Sequence, residues 1–337
     1  MGVGIPDPTL GQHTYLRQRS SIAMPARRPI GWFLAFGLLV VMFLVIPGHA
    51  SADPVAEQPG FYVEDVFGGY QPESSITAIR FAPDGRAFVA ERRGRILVFD
   101  SISDTTPDVI DLTNQVHGFW DRGLLGLAVD PDFPAEPWIY VFYTRDGSWQ
   151  GQIWGDLISG NDSCPDPPGQ TADGCVVMGR LSRMTIDANN NEGPEQPILD
   201  GKWCFQFPSH SADDLVFGPD GMLYVSAGDG ASFGPVDYGQ HGGTQGSPPV
   251  VPQNPCADPF DPEAEDPAVT GEGGMLRSQD IRTSGDPLGY NGAVVLIAPE
   301  TGDAQMLAHG LRNPYRMAFG PDGALFVGDV GWGIWEE

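Results

Sequence analysis

His210 is the side chain in this sequence with the clearest capacity for proton transfer. It stands five residues before Leu215, where an apolar run typical of a β-strand begins. A histidine in a loop at a strand end is held in place yet accessible, and its neutral imidazole can accept a proton near physiological pH. Binding and catalytic groups collect in loops of this kind. A histidine whose hydrogen bonds are satisfied inside a loop is the alternative interpretation.

A recurring hairpin predicts the scaffold that holds this histidine. The pattern of strand, Pro-Asp turn and strand occurs four times, with turn prolines at Pro83, Pro131, Pro219 and Pro321. Repeated small antiparallel sheets at this spacing predict a β-propeller, whereas a β-sandwich would lack the self-similarity. No stretch shows a sustained helical period with caps, so we expect an all-β fold.

Composition and charge restrict the possible partners. The 45 glycines and 32 prolines indicate many turns and short strands rather than long helices. The net charge of −26 argues against a nucleic acid or an anionic membrane surface as partner, because both need a basic patch. An acidic surface suits a secreted protein and is compatible with bound calcium.

The N-terminal region predicts export. Arg27 and Arg28 precede an apolar run over residues 30–46, and Ala50-Ser51-Ala52 then supplies a small-residue cleavage site. This is the three-part pattern of a secretory signal peptide. We therefore expect residues 1–52 to be a signal peptide with an extended lead, and residues 53–337 to be secreted, extracellular or periplasmic. A membrane anchor is the alternative, but the run is slightly short for a spanning helix. No stable membrane insertion is expected after cleavage.

Four cysteines fit an exported protein and allow three disulfide pairings. Cys164 and Cys175 bracket a loop rich in proline and glycine, so we expect a local bridge between them. Cys204 would then pair with Cys256. Free thiols or a metal site are the alternatives, but no Cys-x-x-Cys spacing occurs, and export favours disulfides.

An ordered set of motifs points to a family. DRGLLGLAVDPDF, PSHSADDLVFGPDGMLYVSAGDG, HGLRNPYRMAFGPDG and GDVGWGIWEE follow one another along the chain. Together they resemble the glucose/sorbosone dehydrogenase family, the soluble quinoprotein sugar dehydrogenases that use pyrroloquinoline quinone (PQQ) and calcium. The resemblance covers roughly residues 63–337. It implies a six-bladed propeller, of which the last blades are expected to be missing from this chain.

The resemblance also implies roles for individual polar residues. His210 stands where the family places its general base. Arg312 and Asn313 match the pair that contacts the quinone, and Asp121 and Arg122 match a polar position that contacts the cofactor.

Metal-binding positions are implied near the last motif. Gly331 and Trp332 match residues whose main-chain carbonyls hold the cofactor's calcium, and Glu337 matches a carboxylate at a second, structural calcium. Two positions depart from the family. Asp213 replaces a glycine that often follows the base, and Asp121 stands where many relatives carry Gln or Glu. Both departures bear on PQQ affinity.

The implied reaction is oxidation of an aldose sugar at C1. The base takes the hydroxyl proton, PQQ takes the hydride, and an external acceptor then receives the electrons. One alternative is a non-catalytic propeller that binds a carbohydrate or a protein. Another is a calcium-dependent lactone hydrolase, which would need several side-chain ligands converging on one metal. Arg312 and Asn313 together with His210 favour the dehydrogenase over the non-catalytic propeller, and no such set of metal ligands is evident in the sequence beyond scattered aspartates.

Overall fold

The computed structural model describes residues 60, 62, 64, 66–68, 70–147, 153–156, 161–164, 175–205, 207–230 and 290–331. The predicted signal peptide, and the predicted roles of Cys256, Trp332 and Glu337, lie outside these residues. The chain divides into two compact units, Met1–Val63 and Glu64–Glu337, and every described strand belongs to the second. In the described part, no helix has the length and apolar character needed to span a membrane.

The strands form successive antiparallel sheets. The first sheet has the order β1-β2-β3-β4 and contains Ile76–Phe81, Ala87–Glu91, Arg95–Phe99 and Asp108–Asp111. The second has the order β10-β9-β6-β5 and contains, in chain order, Leu124–Val129 (β5), Trp138–Arg145 (β6), Val177–Thr185 (β9) and Gln196–Phe205 (β10). A small hairpin is inserted before β9, formed by Gly155–Asp156 (β7) and Asn161–Asp162 (β8).

The remaining strands continue the same pattern. The third sheet has the order β11-β12-β13-β14 and contains Ala212–Phe217, Leu223–Ala227, Ala293–Ile297 and Ala304–His309. The last two described strands, Pro314–Phe319 (β15) and Leu325–Asp329 (β16), pair with each other. The first strand of each sheet packs against the first strand of the next, β1 on β5, β5 on β11 and β11 on β15. Consecutive four-stranded sheets joined by their first strands are propeller blades. The predicted all-β propeller is confirmed.

Turn chemistry explains why the hairpin recurs. In the β11–β12 hairpin, Phe217 pairs with Leu223, and Gly221 between them has φ of 77°. Glycine adopts this left-handed conformation without the steric cost of a Cβ. Oδ1 of Asp220 accepts from the amide of Met222 at 3.1 Å, so the side chain closes the turn on its own backbone. The predicted roles of glycine and aspartate in the Pro-Asp-Gly turn are thus confirmed.

The apolar core lies between neighbouring blades. One cluster joins the first and second blades and includes Phe88, Ile96, Leu127 and Val141. A second cluster joins the second and third blades through Phe142, Trp203, Leu215 and Val295. Burial of these side chains is the main stabilising contribution, and it holds the first strands of the blades against one another. The ends of these strands then form a rigid frame for polar loops.

Candidate functional site

A cavity lies where β1, β5 and β15 begin. Its volume is about 560 Å³, within the range of small-molecule sites. It is lined by Ser75, Ile76, Thr77, Arg92, Trp120, Asp121, Leu125, Asn313, Tyr315 and Val330. Two residues predicted to contact a cofactor, Asp121 and Asn313, therefore face the same space, although the loops that carry them are far apart in sequence.

His210 forms a buried pair with Asp229. Nδ1 of His210 lies 2.8 Å from Oδ1 of Asp229, and the two side chains are 6% and 2% exposed. A carboxylate accepts hydrogen bonds, so it holds the proton on Nδ1 and leaves Nε2 as the nitrogen with a lone pair. Among the described residues, none hydrogen-bonds Nε2. An imidazole held in this tautomer by a buried carboxylate is arranged to accept a proton.

Glycine at position 228 makes this arrangement possible. A Cβ on Gly228 would lie 2.5 Å from the carbonyl carbon of His210 and 2.7 Å from the side chain of Asn313. Any larger residue would push the histidine backbone and Asn313 apart. The amide of Gly230 donates to the carbonyl of His210 at 2.8 Å, which holds the His210 loop against the end of β12.

The His210 loop is also tied to the wall of the cavity. The hydroxyl of Ser209 donates to Oδ2 of Asp121 at 2.6 Å, and the Asp121 amide donates to the carbonyl of Pro208 at 3.3 Å. Gly228 lies against the main chain of His210 and the side chain of Asn313. The structure therefore brings the His210 loop next to Asp121 and Asn313, although His210 itself is not among the residues that line the cavity.

Asp329 organises the loop that carries Arg312 and Asn313. Its carboxylate accepts from the main-chain amides of both residues, at 3.0 Å and 2.6 Å. The guanidinium of Arg312 donates to the carbonyl of Val330 at 2.7 Å, and the carbonyl of Arg312 accepts from the amide of Asp229. The loop is thus fixed by the end of β16 on one side and by the histidine's partner on the other.

Asp213 lies shortly after the histidine, at the start of β11, and is buried. With Nδ2 turned toward it, the Asn313 carboxamide donates to the two oxygens of Asp213 at 3.2 Å and 3.1 Å. Burial raises the pKa of Asp213 well above its usual range, while the nearby Arg316 cation acts in the opposite direction. The residue that departs from the family pattern is therefore in contact with a residue that lines the cavity.

Arg122 occupies a different environment from Asp121. Its side chain is fully buried, and Nη2 donates to the carbonyls of Phe205 and Phe207 at 2.8 Å and 2.9 Å. Nη1 lies 3.3 Å from Sγ of Cys175, and burial lowers the pKa of Arg122 to about 9. The side chain holds the end of β10 and is not among the residues that line the cavity. A direct cofactor contact at Arg122 stays a prediction.

Arg92 is a cationic side chain in the cavity wall that the sequence analysis missed. Its guanidinium donates to the carbonyls of Gly118, Trp120 and Arg122, with the Trp120 contact at 2.6 Å. These bonds shape the loop that presents Asp121. The available signal was an arginine directly after a buried strand, at the same blade end as the other polar residues.

The cysteines are confirmed in part. Cys164 and Cys175 form a disulfide with their Cα atoms 5.4 Å apart. Cys204 is also disulfide-bonded, while its predicted partner, Cys256, lies outside the described residues. In the described part of the chain, one group of potential metal ligands occurs, formed by His117 with Cys164 and Cys175. The disulfide removes both thiolates, so this group is structural.

The comparisons with known proteins agree with the motifs. A family model described as glucose/sorbosone dehydrogenase matches residues 74–246, more than half of the chain. The chain belongs to the glucose/sorbosone dehydrogenase family.

Individual relatives are distant. The HIPL1 protein of Arabidopsis thaliana is 27% identical over an alignment of 183 positions that covers 47% of this chain and 26% of that protein. A putative oxidoreductase (glucose dehydrogenase) of Thermus thermophilus is 23% identical, with a TM-score of 0.47. The PQQ-bound aldose sugar dehydrogenase of Streptomyces coelicolor is 16% identical, with a TM-score of 0.48. Each of these two structural matches covers 79% of this chain and 59% of the other chain.

Proposed function

We propose that this protein is a secreted oxidoreductase that removes a hydride from C1 of an aldose sugar, using PQQ and calcium. The observation that carries the proposal is the buried His210–Asp229 pair, whose loop is bonded through Ser209 to Asp121 in the cavity wall. Family membership supports the reaction class. The pair supplies the proton acceptor that such a reaction requires.

The residues around the cavity are compatible with the cofactor. The volume of about 560 Å³ is large enough for a fused-ring quinone. Arg92, Asp121 and Asn313 would contact it, with Arg312 behind Asn313. Calcium prefers hard oxygen ligands, and the predicted carbonyl of Gly331 directly follows Val330 in the cavity wall. When bound, PQQ supplies the electrophile that accepts hydride, a role for which no side chain is suited.

The residues of the chain would carry the proton chemistry. Nε2 of His210 accepts the proton of the sugar's C1 hydroxyl as the hydride leaves carbon. The imidazolium that forms is stabilised by Asp229, because the hydrogen bond from Nδ1 becomes charge-assisted. His210 is 6% exposed, so it is buried rather than accessible as its loop position predicted, and this burial limits competing water at the base. Ser209 keeps the loop in place by its bond to Asp121.

Export and the electron acceptor belong to the same proposal. The predicted signal peptide and the disulfide Cys164–Cys175 support an extracellular or periplasmic location, because disulfides persist in oxidising compartments. Electrons would pass from the reduced cofactor to an external acceptor. No nucleic acid partner is expected for a chain with a net charge of −26.

The proposal is tested by sugar-dependent dye reduction. The full-length protein is loaded with PQQ and calcium and assayed with several aldoses and an artificial dye acceptor. We expect dye reduction with at least one aldose and formation of its lactone. The matched alditol, which lacks the hemiacetal hydroxyl at C1, should support no reduction. Equal rates with the alditol would contradict oxidation at C1. No reduction with any aldose, although PQQ is bound, would favour the non-catalytic binding propeller.

A further inference from the structure

Arg122 carries a positive charge into the core beside the Cys164–Cys175 disulfide. Its side chain is fully buried, and among the described residues no carboxylate accepts a hydrogen bond from it. Burial lowers its pKa only to about 9, so the guanidinium remains charged at neutral pH. A buried charge without an opposite charge is unfavourable, because nothing compensates for its lost solvation.

The sulfur of Cys175 lies where that opposite charge can form. Nη1 of Arg122 lies 3.3 Å from Sγ of Cys175, which is fully buried as well. In the disulfide this sulfur is neutral and only a weak acceptor. As a thiolate it would complete a buried ion pair with a guanidinium that is already in place. Because the attraction acts at hydrogen-bond distance, a neighbouring arginine favours the thiolate over the thiol.

His117 offers a second group that reduction would satisfy. Its side chain is fully buried, and burial together with the Arg122 cation lowers its pKa to about 3, so the ring is neutral. Nε2 lies 3.1 Å from the carbonyl of Ser163 and must hold the ring proton, because a carbonyl only accepts. Nδ1 is then an acceptor, and it has no partner in the described part of the chain. A ring nitrogen of His117 and the two sulfurs lie within 4.8 Å of one another, so reduction would place an S–H donor beside this ring.

The two sulfurs differ in exposure. Cys175 is fully buried, whereas Cys164 is only partly buried at the edge of the core. A reductant can therefore reach Cys164 first. In thiol–disulfide exchange the sulfur that is not attacked leaves as a thiolate, and it leaves faster when its pKa is low. Attack at Cys164 thus releases Cys175 directly beside Arg122.

We propose that Cys164–Cys175 is a thiol–disulfide exchange site for a dithiol reductant, with Arg122 stabilising Cys175 as the leaving thiolate. One thiol of the reductant loses its proton to solvent, attacks Sγ of Cys164 and forms a mixed disulfide. The S–S bond breaks, and its electron pair stays on Cys175. The second thiol then displaces Cys164, which takes the proton of that thiol, and the reductant ends as a disulfide. The chain gains two electrons, and this chemistry does not depend on the function proposed for the cavity.

The first test is the reduction equilibrium of the disulfide in Arg122→Gln. The glutamine amide can still donate to a main-chain carbonyl but carries no charge. Each full-length protein is equilibrated in mixtures of reduced and oxidised dithiothreitol, and free Cys164 and Cys175 are counted by alkylation and peptide mapping. We expect Arg122→Gln to need at least about a tenfold higher ratio of reduced to oxidised dithiothreitol for half-reduction, because lowering a thiol pKa by about one unit is worth tenfold. An equal or lower ratio than in the wild type would overturn the proposal.

Arg93→Gln is the matched control. Arg93 directly follows β2 and is exposed, so this variant removes the same charge outside the core. We expect its ratio for half-reduction to stay within about twofold of the wild type, because exposed charges are screened by solvent. A shift in Arg93→Gln as large as that in Arg122→Gln would trace the effect to net charge and contradict the role of Arg122.

A second measurement decides the proposal even if Arg122→Gln does not fold. Cys164→Ser leaves Cys175 as a thiol beside an unchanged Arg122. An ordinary thiol, with a pKa of about 8.5, is only a few per cent thiolate at pH 7. We expect Cys175 in full-length Cys164→Ser to be mostly thiolate at this pH, as measured by ultraviolet thiolate absorbance. A Cys175 that is mostly protonated at pH 7 would show that Arg122 does not stabilise the leaving group, and the proposal would fail.

Discussion

Replacing His210 by alanine is expected to lower the turnover of the PQQ-loaded protein by about 10²–10⁴-fold, the usual contribution of general base catalysis. The reason is that Nε2 of His210 is the proposed acceptor of the hydroxyl proton, with Asp229 holding the tautomer. Because the imidazole is buried against a carboxylate, we also expect stability to fall by about 1–3 kcal/mol.

His210→Gln separates the loss of turnover from the loss of stability. Its side-chain amide can still donate to Asp229 but cannot accept a proton at neutral pH, so turnover should fall as in His210→Ala while stability is largely retained. His309, exposed at the end of β14, is the matched control, and His309→Ala should leave turnover unchanged. Retained cofactor is checked by its absorbance. Turnover within a few-fold of wild type in His210→Gln would show that His210 is structural and that the base lies elsewhere.

The second large effect is expected for Asp229→Asn. The amide group of the new side chain can donate to Nδ1 of His210, which moves the ring proton to Nε2 and leaves no lone pair toward the substrate. In a serine protease the corresponding change lowers kcat by about 10⁴-fold for this reason, and we expect a loss of about 10²–10⁴-fold here. The effect should appear in kcat, with PQQ binding nearly unchanged.

Asp220→Asn is the matched control for this variant. Asp220 closes an exposed turn of the same hairpin through the Met222 amide, so its replacement should leave turnover unchanged. If Asp229→Asn turns over within about threefold of the wild type while the protein remains folded, the tautomer argument is wrong.

Features with local causes could be predicted from the sequence. The Pro-Asp-Gly turn depends on a glycine with positive φ and on an aspartate bonding its own backbone, as at Asp220 and Gly221. These turns determine where each hairpin reverses direction, and the repetition of the hairpin predicts the propeller. The Cys164–Cys175 bridge also closes a short stretch of chain. Two of the residues singled out by motif order, Asp121 and Asn313, line one cavity; their roles, and that of His210, stay predictions.

Partners that are far apart in sequence could not be predicted in the same way. Asp229 follows β12, 19 residues after His210, and only the pairing of β11 with β12 brings the two side chains together. Asp213 and Asn313 come from different sheets, so their contact depends on how neighbouring blades pack. Motif order also could not predict where the Arg122 side chain lies. Asp121 lines the cavity, but the guanidinium of the adjacent Arg122 is buried in the core.

The central claim is that the cavity binds PQQ together with calcium. The direct measurement is titration of the full-length apoprotein with PQQ, with and without calcium, following cofactor absorbance. We predict saturable binding in calcium and a Kd at least about tenfold weaker after chelation, because calcium would neutralise charge on the cofactor's oxygens. Negligible binding in both conditions would contradict the claim that PQQ occupies this cavity. Equally tight binding in both would contradict the role of calcium.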